Sequence, residues 1–322
     1  MQTVTLARHA MATRFELVLH GENPVTLRAA GEEALEEVVR LENLLSLYRP
    51  GSEIAHLNAR AAHEKVQVSP EVFTLLERAQ QLHTDTDGAF DITIAPLVRC
   101  WGFMDNQGKM PSLEVLSAAR ELVGMHRVEL DASRRTVHFA RAGVMLDLGA
   151  IGKGYAVERG AELLREAGVA SGLFHGGTST VCAIGHPPDS ATWRVAIERP
   201  PPGFGNSTFP ELPYVELTDE CLSVSAVWGR CFSSGGNSFG HVIDPRTGQP
   251  VDGAWLAAVV LPSATETDAL STALLTLNSP GFERLARIRP GLKAVLVLKS
   301  GRLEISSVWR SASDEADNSA LT

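Results

Sequence analysis

Near the start of the chain, apolar residues fall at every second position. Phe15, Leu17 and Leu19 alternate with Glu16, Val18 and His20, the two-residue period of a strand with one mostly apolar face. The whole segment TVTLARHAMATRFELVLHG alternates in the manner of a strand pair. From Val25 the period changes. Leu27, Ala30, Ala34, Val38, Leu41 and Leu45 recur three or four apart with acidic residues on the other face, which predicts an amphipathic helix of about five turns. Arg49-Pro50-Gly51-Ser52 ends it. Ser69 is a ready N-cap ahead of Pro70, and Val72, Leu76, Ala79 and Leu82 carry a second helix. After a loop through Gly88, Leu113 to Val123 makes a third, closed by Gly124.

Beyond Val128 the pattern turns to hairpins: VEL and TVHFA flank Asp131-Ala132-Ser133, and a β-rich VMLDL follows. Lys153 to Ala167 is helical again, with Gly168 as its stop. Strands are expected around Leu173, Trp193 to Ile197, Tyr214 to Leu217, Leu256 to Leu261 and Ala294 to Leu298, with helices at Thr267 to Leu277 and Gly281 to Ile288. Pro200-Pro201-Pro202-Gly203-Phe204-Gly205 and Ser233-Ser234-Gly235-Gly236-Asn237 have loop compositions and read as surface insertions. Hairpin signals outnumber crossover signals, so the expected fold class is α+β, with largely antiparallel sheets and packed helices. Residues 1–310 are expected to form the folded region, and the polar segment 311–322 a disordered tail.

Composition narrows the function classes. The 322 residues, 44% of them hydrophobic, suffice for a sizeable core in one large domain or two fused lobes. A formal net charge of −9 argues against a broad nucleic-acid surface, so any phosphate must be held locally by a metal, a lysine or a helix N-terminus. No stretch approaches the roughly 18 apolar residues that would span a bilayer, and the run Ala254 to Leu261 reads as a buried strand. Met1 leads straight into the alternating segment without a basic and then apolar leader, so the expected compartment is the cytoplasm. Cys100, Cys182, Cys221 and Cys231 are scattered without a C-x-x-C, which suggests buried or incidental thiols rather than a zinc site or disulfide framework.

Three segments hold candidate chemistry. In DLGAIGKGYAVERG, Asp147 to Gly160, a strand is expected to meet a Gly-rich bend that opens a helix; such a junction offers backbone N–H groups and a helix dipole to an anion, and Lys153 adds a charge. A tight turn whose glycines serve geometry alone would read the same way. Neither G-x-G-x-x-G nor G-x-x-x-x-G-K-[ST] is present, which disfavours Rossmann and P-loop folds. In TETDALSTALL, Asp268 and Thr272 are four apart and share a helix face, where a carboxylate and a hydroxyl suit a hard cation such as Mg²⁺. The alternative is a capped helix start, with Thr265 or Thr267 as cap and Asp268 in the first turn. In HVIDPRTGQPV, His241 could accept a proton near neutral pH, or serve structure at a strand end. Phe90, Trp101 and Phe103 read as core rather than a cofactor stack, and Gly176-Gly177 as either a close ligand approach or a turn.

Taken in order, MATRFE, Y-R-P-G-S-E-I-x-x-L-N, GAFDITIAPLVxxWGF, DLGAIGKG, H-V-I-D-P-R-T-G and D-A-L-S-T-A-L resemble the FAD:protein FMN transferases, the ApbE family, from about Met11 to about Pro280. The resemblance implies two intimately fused lobes around a cleft that binds FAD as substrate, with Mg²⁺ on its diphosphate. It implies that the carbonyl of Ala150 and the side chains of Asp268 and Thr272 hold the metal, and that Lys153 and the loop around Gly152 face the diphosphate. Met11, Tyr48, Ser52, Glu53, Asp147, Gly176 and Gly177 match segments lining the family's FAD cleft, and His241 and Asp244 match the turn beside the reacting phosphate.

The implied reaction has a Ser or Thr hydroxyl of an acceptor protein attack the FMN-side phosphorus while AMP departs, with His241, Asp244 and Lys153 as the catalytic candidates. The family's usual acceptors are subunits of membrane electron-transfer complexes, and its members frequently carry a lipoprotein leader. An FAD pyrophosphatase, with water as the acceptor, and a non-catalytic FAD-binding protein are the rival functions. The chain departs from the family pattern at Ala12, where glycine is common, at His175, where asparagine is common, and at Val224-Ser225-Ala226-Val227-Trp228, where T-S-G-x-Y is usual.

Overall fold

The structure, a computed structural model, describes residues 1–105, 107–200, 209–212, 214–306 and 309. Strands β1 (Gln2–Ala10) and β2 (Thr13–Gly21) lead into helices α1 (Pro24–Leu45) and α2 (Glu53–Arg60). Next come β3 (Val66–Gln67), α3 (Pro70–Asp85), α4 (Ala95–Cys100), α5 (Leu113–Arg120), β4 (Val128–Asp131) and β5 (Thr136–Phe139). Helix α6 (Gly152–Glu166) precedes β6 (Ser171–Gly176), β7 (Thr180–Ile184), β8 (Trp193–Val195), β9 (Val215–Leu217), β10 (Cys221–Ala226), β11 (Cys231–Ser234) and β12 (Asn237–Gly240). The chain continues through β13 (Ala254–Leu261), α7 (Ala264–Leu277), α8 (Ser279–Ile288), β14 (Lys293–Leu298) and β15 (Leu303–Ile305). These elements form two compact units, one of Met1–Val38, Lys153–Ala226 and Asp252–Thr322, the other of Val39–Gly152 and Val227–Val251.

An eight-stranded sheet in the order β1-β2-β6-β7-β10-β13-β14-β15 organises the first unit, and every neighbouring pair is antiparallel. The alternation at the start of the chain decides its register: Phe15, Leu17 and Leu19 are fully buried, and Leu17 faces Phe174 across to β6. The apolar run Ala254–Leu261 is β13, flanked by β10 and β14, with helix α7 packed over β10 and β13. Met11 and Ala12 join β1 to β2 at φ +49° and +59°, the left-handed region in which a two-residue hairpin turn favours glycine. That geometry explains why glycine suits position 12.

The second unit contains the three-stranded sheet β3-β5-β4, the hairpin β11-β12 and helices α2 to α5. Its aromatic core gathers Trp101, Phe103, Leu97, Leu116 and Ile243, with Phe232 and Phe239 against it. Phe90 is also buried, so all three aromatic residues of the GAFDITIAPLVRCWGF segment are core. Ser233 to Asn237 is not a loop insertion: Gly235 and Gly236, at φ +58° and +81°, turn β11 into β12.

The other departures from expectation have local causes. Helices α2 and α4 span eight and six residues, too few for a helical period to show in the sequence. The third predicted helix ends at Arg120, because Leu122 and Val123 donate to Ala119 and Arg120 and so tighten the last turn. Val144 to Leu148, expected as a strand, belongs to none. Its backbone is satisfied instead by the Asn58 side chain, which bonds both N–H and C=O of Leu146, and by the Ile92 carbonyl, which accepts from Asp147. The Pro201 to Gly205 loop and the 311–322 tail lie outside the described residues. No helix among those described is long and apolar enough to cross a membrane.

Candidate active site

In the first unit the site is built where α6 meets α7. Asp268 is only 4% exposed, and its Oδ2 accepts from the Gly154 N–H at 2.9 Å. Gly154 sits in the first turn of α6, whose N–H groups have no partner within the helix, so a carboxylate from another element caps it. The approach requires glycine: a Cβ at 154 would lie 2.2 Å from the Ala264 carbonyl oxygen and 2.6 Å from Asp268 Cβ. One turn on, Glu158 Oε2 accepts from Ser263 Oγ and the Thr265 N–H and so fastens α6 to the start of α7.

Helix α7 is capped by Ser263, whose hydroxyl accepts from the Glu266 N–H at 3.1 Å, and not by Thr265 or Thr267. The helix therefore begins at Ala264, and Asp268 lies in its second turn, past the reach of the cap. Thr272, four residues on, places Oγ1 3.0 Å from Ser225 Oγ, which also reaches Ser271 Oγ at 2.9 Å. Asp268 Oδ1 receives no hydrogen bond from the described residues. A carboxylate so buried, with one donated N–H, calls for further charge compensation. Thr272 Oγ1 also donates to the Asp268 carbonyl at 3.3 Å, and a carboxylate and a hydroxyl one helical turn apart fit a hard divalent cation. Among the described residues no cluster of three or more His, Cys, Asp or Glu forms, so a site here would rest on one carboxylate and neutral oxygens. Lys153 is the second residue of α6, next to Gly154 and after Gly152, which starts the helix.

Within the altered segment, Ser225 and Val224 face opposite sides of β10. Ser225 points to α7, whereas Val224 lines a cleft of about 320 Å³ with His175, Gly177, Ser179 and Ile197. Burial lowers the His175 pKa against the opposing charge of Glu16, which favours the neutral imidazole in that cleft. Gly177 lies at φ +69° in the turn after β6. Asp268 and Thr272 are not among the cleft's lining residues.

In the second unit Arg230 links two candidates. Its guanidinium charge acts on the Tyr48 phenol, and its backbone N–H lies 3.4 Å from His241 Nδ1. Tyr48 is 60% exposed, yet its pKa is raised, first by desolvation of the phenol and then by the Asp147 carboxylate, with Arg230 opposing. Asp147 also turns the chain, its Oδ1 accepting from the Gly149 N–H at 2.8 Å just ahead of Ala150. His241 packs edge-on to Phe103, and the turn that follows it is anchored by Trp101 Nε1 on the Gly248 carbonyl and by Arg120 on the Arg246 carbonyl. Both Asp244 oxygens bind the Arg246 guanidinium at 2.9 Å, so Asp244 shapes this turn.

Ser52 and Glu53 likewise have structural partners. Ser52 caps α2 by accepting from the Ala55 N–H, and Glu53 accepts from the Ser69 N–H and hydroxyl. Met11 holds its hairpin turn. The sequence reading missed Arg230, Ser225, Glu158 and Asp91. Asp91 is a buried carboxylate that accepts from Thr93 N–H and Oγ1 and pairs with His83 at 3.2 Å. An acidic residue two before a threonine was its only local signal; the others act through partners remote in sequence.

The ApbE family model matches residues 11–296. An FAD:protein FMN transferase of Treponema pallidum is 32% identical over 295 residues, covering 85% of this chain and 79% of that protein. One of Vibrio cholerae is 29% identical over 257 residues, covering 79% and 74%. Among solved structures, an ApbE protein of Thermotoga maritima aligns with a TM-score of 0.85 at 27% identity, covering 96% of this chain and 98% of that one. The apo flavinyl transferase ApbE of Pseudomonas stutzeri aligns at 0.81 with 29% identity, covering 96% of each.

Proposed function

Because this chain belongs to the ApbE family, we propose that it transfers the FMN half of FAD to a Ser or Thr hydroxyl of an acceptor protein, releasing AMP. The observation that carries the reading is the buried Asp268, with one oxygen fixed by the Gly154 N–H, one helical turn before Thr272, whose hydroxyl meets that of Ser225. Asp268 and Thr272 are the proposed Mg²⁺ ligands, to which the family resemblance adds the Ala150 carbonyl. When bound, the cation would neutralise charge on the diphosphate of FAD. Lys153, in the first turn of α6, is assigned to the diphosphate, where side-chain charge and helix dipole act in the same sense.

The acceptor hydroxyl attacks the FMN-side phosphorus, its proton passes to His241, and the phosphoanhydride bond breaks to free AMP. Asp244 orients the turn that carries His241 through its grip on Arg246. Tyr48 and Asp147, with Met11, Ser52, Glu53, Gly152, Gly176 and Gly177 from the matching segments, are assigned to binding FAD. A subunit of a membrane electron-transfer complex is the expected acceptor.

The test is co-expression with candidate acceptors, followed by intact-mass measurement for an added FMN and by chromatography for AMP. Transfer is expected to need Mg²⁺. In Asp268→Ala it is expected to fall by about 100-fold or more, and unchanged Mg²⁺-dependent transfer in that variant would sink the metal assignment. Rapid release of FMN from FAD without an acceptor identifies hydrolysis in place of transfer. Retained FAD with no product identifies a binding protein.

A further inference from the structure

Cys182 and Cys221 are 39 residues apart in sequence, but the register of β7 and β10 sets them directly opposite each other. The ladder bonds on either side define the pair. Ala183 N–H donates to the Glu220 carbonyl at 2.9 Å and Val224 N–H to the Ser179 carbonyl at 2.8 Å, so the hydrogen-bonded pairs are 183/220 and 179/224. Because such pairs alternate, 182/221 is a non-hydrogen-bonded pair, in which Cα atoms approach to about 4.5 Å and side chains come closest. That separation lies within the span of about 4.4–6.8 Å that a disulfide bridges. The equivalent pair one step along, Thr180 and Ser223, brings its hydroxyl oxygens to 3.1 Å, and the two sulfurs stand 2.8 Å apart. Both cysteines are 1% exposed on the face of the sheet that meets α7, where Cys221 Sγ also reaches the Pro262 carbonyl.

We infer that Cys182 and Cys221 form a cross-strand disulfide. It would close a ring containing the β8–β9 strand pair and the segment through Ile197 that walls the 320 Å³ cleft, fixing both ends of that excursion to the sheet. The remaining cysteines are placed differently: burial pushes the Cys100 thiol up to about 11, and Cys231 is exposed in another sheet. The oxidant is a disulfide, either oxidised glutathione or a protein thiol oxidase. The Cys182 thiolate attacks one of its sulfurs and expels the first oxidant thiolate; the Cys221 thiolate then attacks Cys182 Sγ in the mixed disulfide and expels the second. Two cysteine thiols are oxidised, one oxidant disulfide is reduced, and the two thiol protons pass to the two thiolates released. Arg165, which donates to the carbonyl of Ala183 next to Cys182, favours the Cys182 thiolate as the first nucleophile. Since both sulfurs are buried, the bond forms as the strands come together during folding and is afterwards shielded from reductant.

The full chain, refolded with oxidised glutathione, is to be denatured and alkylated with and without prior reduction, then mapped by peptide mass spectrometry. The expected result is a linked peptide joining Cys182 to Cys221, alkylation of Cys100 and Cys231 alone before reduction, and a mass about 2 Da below that of the reduced chain. The oxidised protein is expected to melt roughly 5–10 °C above the reduced one, a difference absent from Cys182→Ser. Alkylation of all four cysteines without prior reduction, or a linkage through Cys100 or Cys231 in place of this pair, overturns the inference. The linkage is read on the denatured natural chain, so the test survives a variant that fails to fold.

Discussion

Asp268 and Thr272 could be paired on one helix face from their spacing alone, but the hydroxyl that steadies Thr272 could not. Ser225 comes from a strand 47 residues earlier, and only the packing of α7 over β10 puts it there. It touches a proposed ligand without being one. Ser225→Ala is therefore expected to raise the Mg²⁺ concentration needed for half-maximal transfer by about 10-fold or more, with little change in the rate at saturating Mg²⁺; a metal titration of transfer checks this. His83 offers a second test at this scale. Burial works against its imidazolium, but the Asp91 hydrogen bond and charge and the Phe90 carbonyl outweigh it, so the folded-state pKa lies above the ordinary 6.5. The stabilisation is then fully present below about pH 6.5 and is lost as pH rises through the folded-state value. Urea midpoints measured across that window are expected to fall with pH, and less steeply in His83→Gln.

Among the elements, the α6–α7 clasp governs the geometry of Asp268. Gly154 looked in the sequence like part of a phosphate-binding bend, and in the structure its N–H is already spent on Asp268 while its missing Cβ makes room for the Ala264 carbonyl. Gly154→Ala is expected to lower stability by about 1–3 kcal/mol through overpacking, read as a shift in the denaturation midpoint, and to weaken Mg²⁺ dependence together with it. Long periodic elements were legible in advance: α1, α3 with its Ser69 cap, α6 and the β4–β5 hairpin all carry their own signals. Short ones were not. Strand β10 spans six residues whose hydroxyl-bearing face is buried against α7, so its alternation did not read as apolar against polar.

For the whole molecule, a net charge of −9 means that an FAD diphosphate must be met by local positive charge rather than by a general field. FAD and Mg²⁺ should consequently bind better together than apart. Each at about 100 times its dissociation constant in the presence of the other is expected to add about 2.7 kcal/mol of stability, about 5.4 kcal/mol together, seen as a higher melting temperature by calorimetry, whereas FAD without Mg²⁺ gives a smaller rise. In Asp268→Ala the Mg²⁺-dependent part of that rise is expected to vanish.

The sequence by itself determined the long helices, the antiparallel character of the sheets and the ordered segments that mark the ApbE family, since each depends on residues close together in the chain. Only the tertiary structure decided that Gly154 meets Asp268 across 114 residues, that Ser225 supports Thr272, that Arg230 meets His241, and that Cys182 faces Cys221. Those contacts follow from strand register and helix docking. Both are set by the summed burial of many side chains, and no local spacing records them.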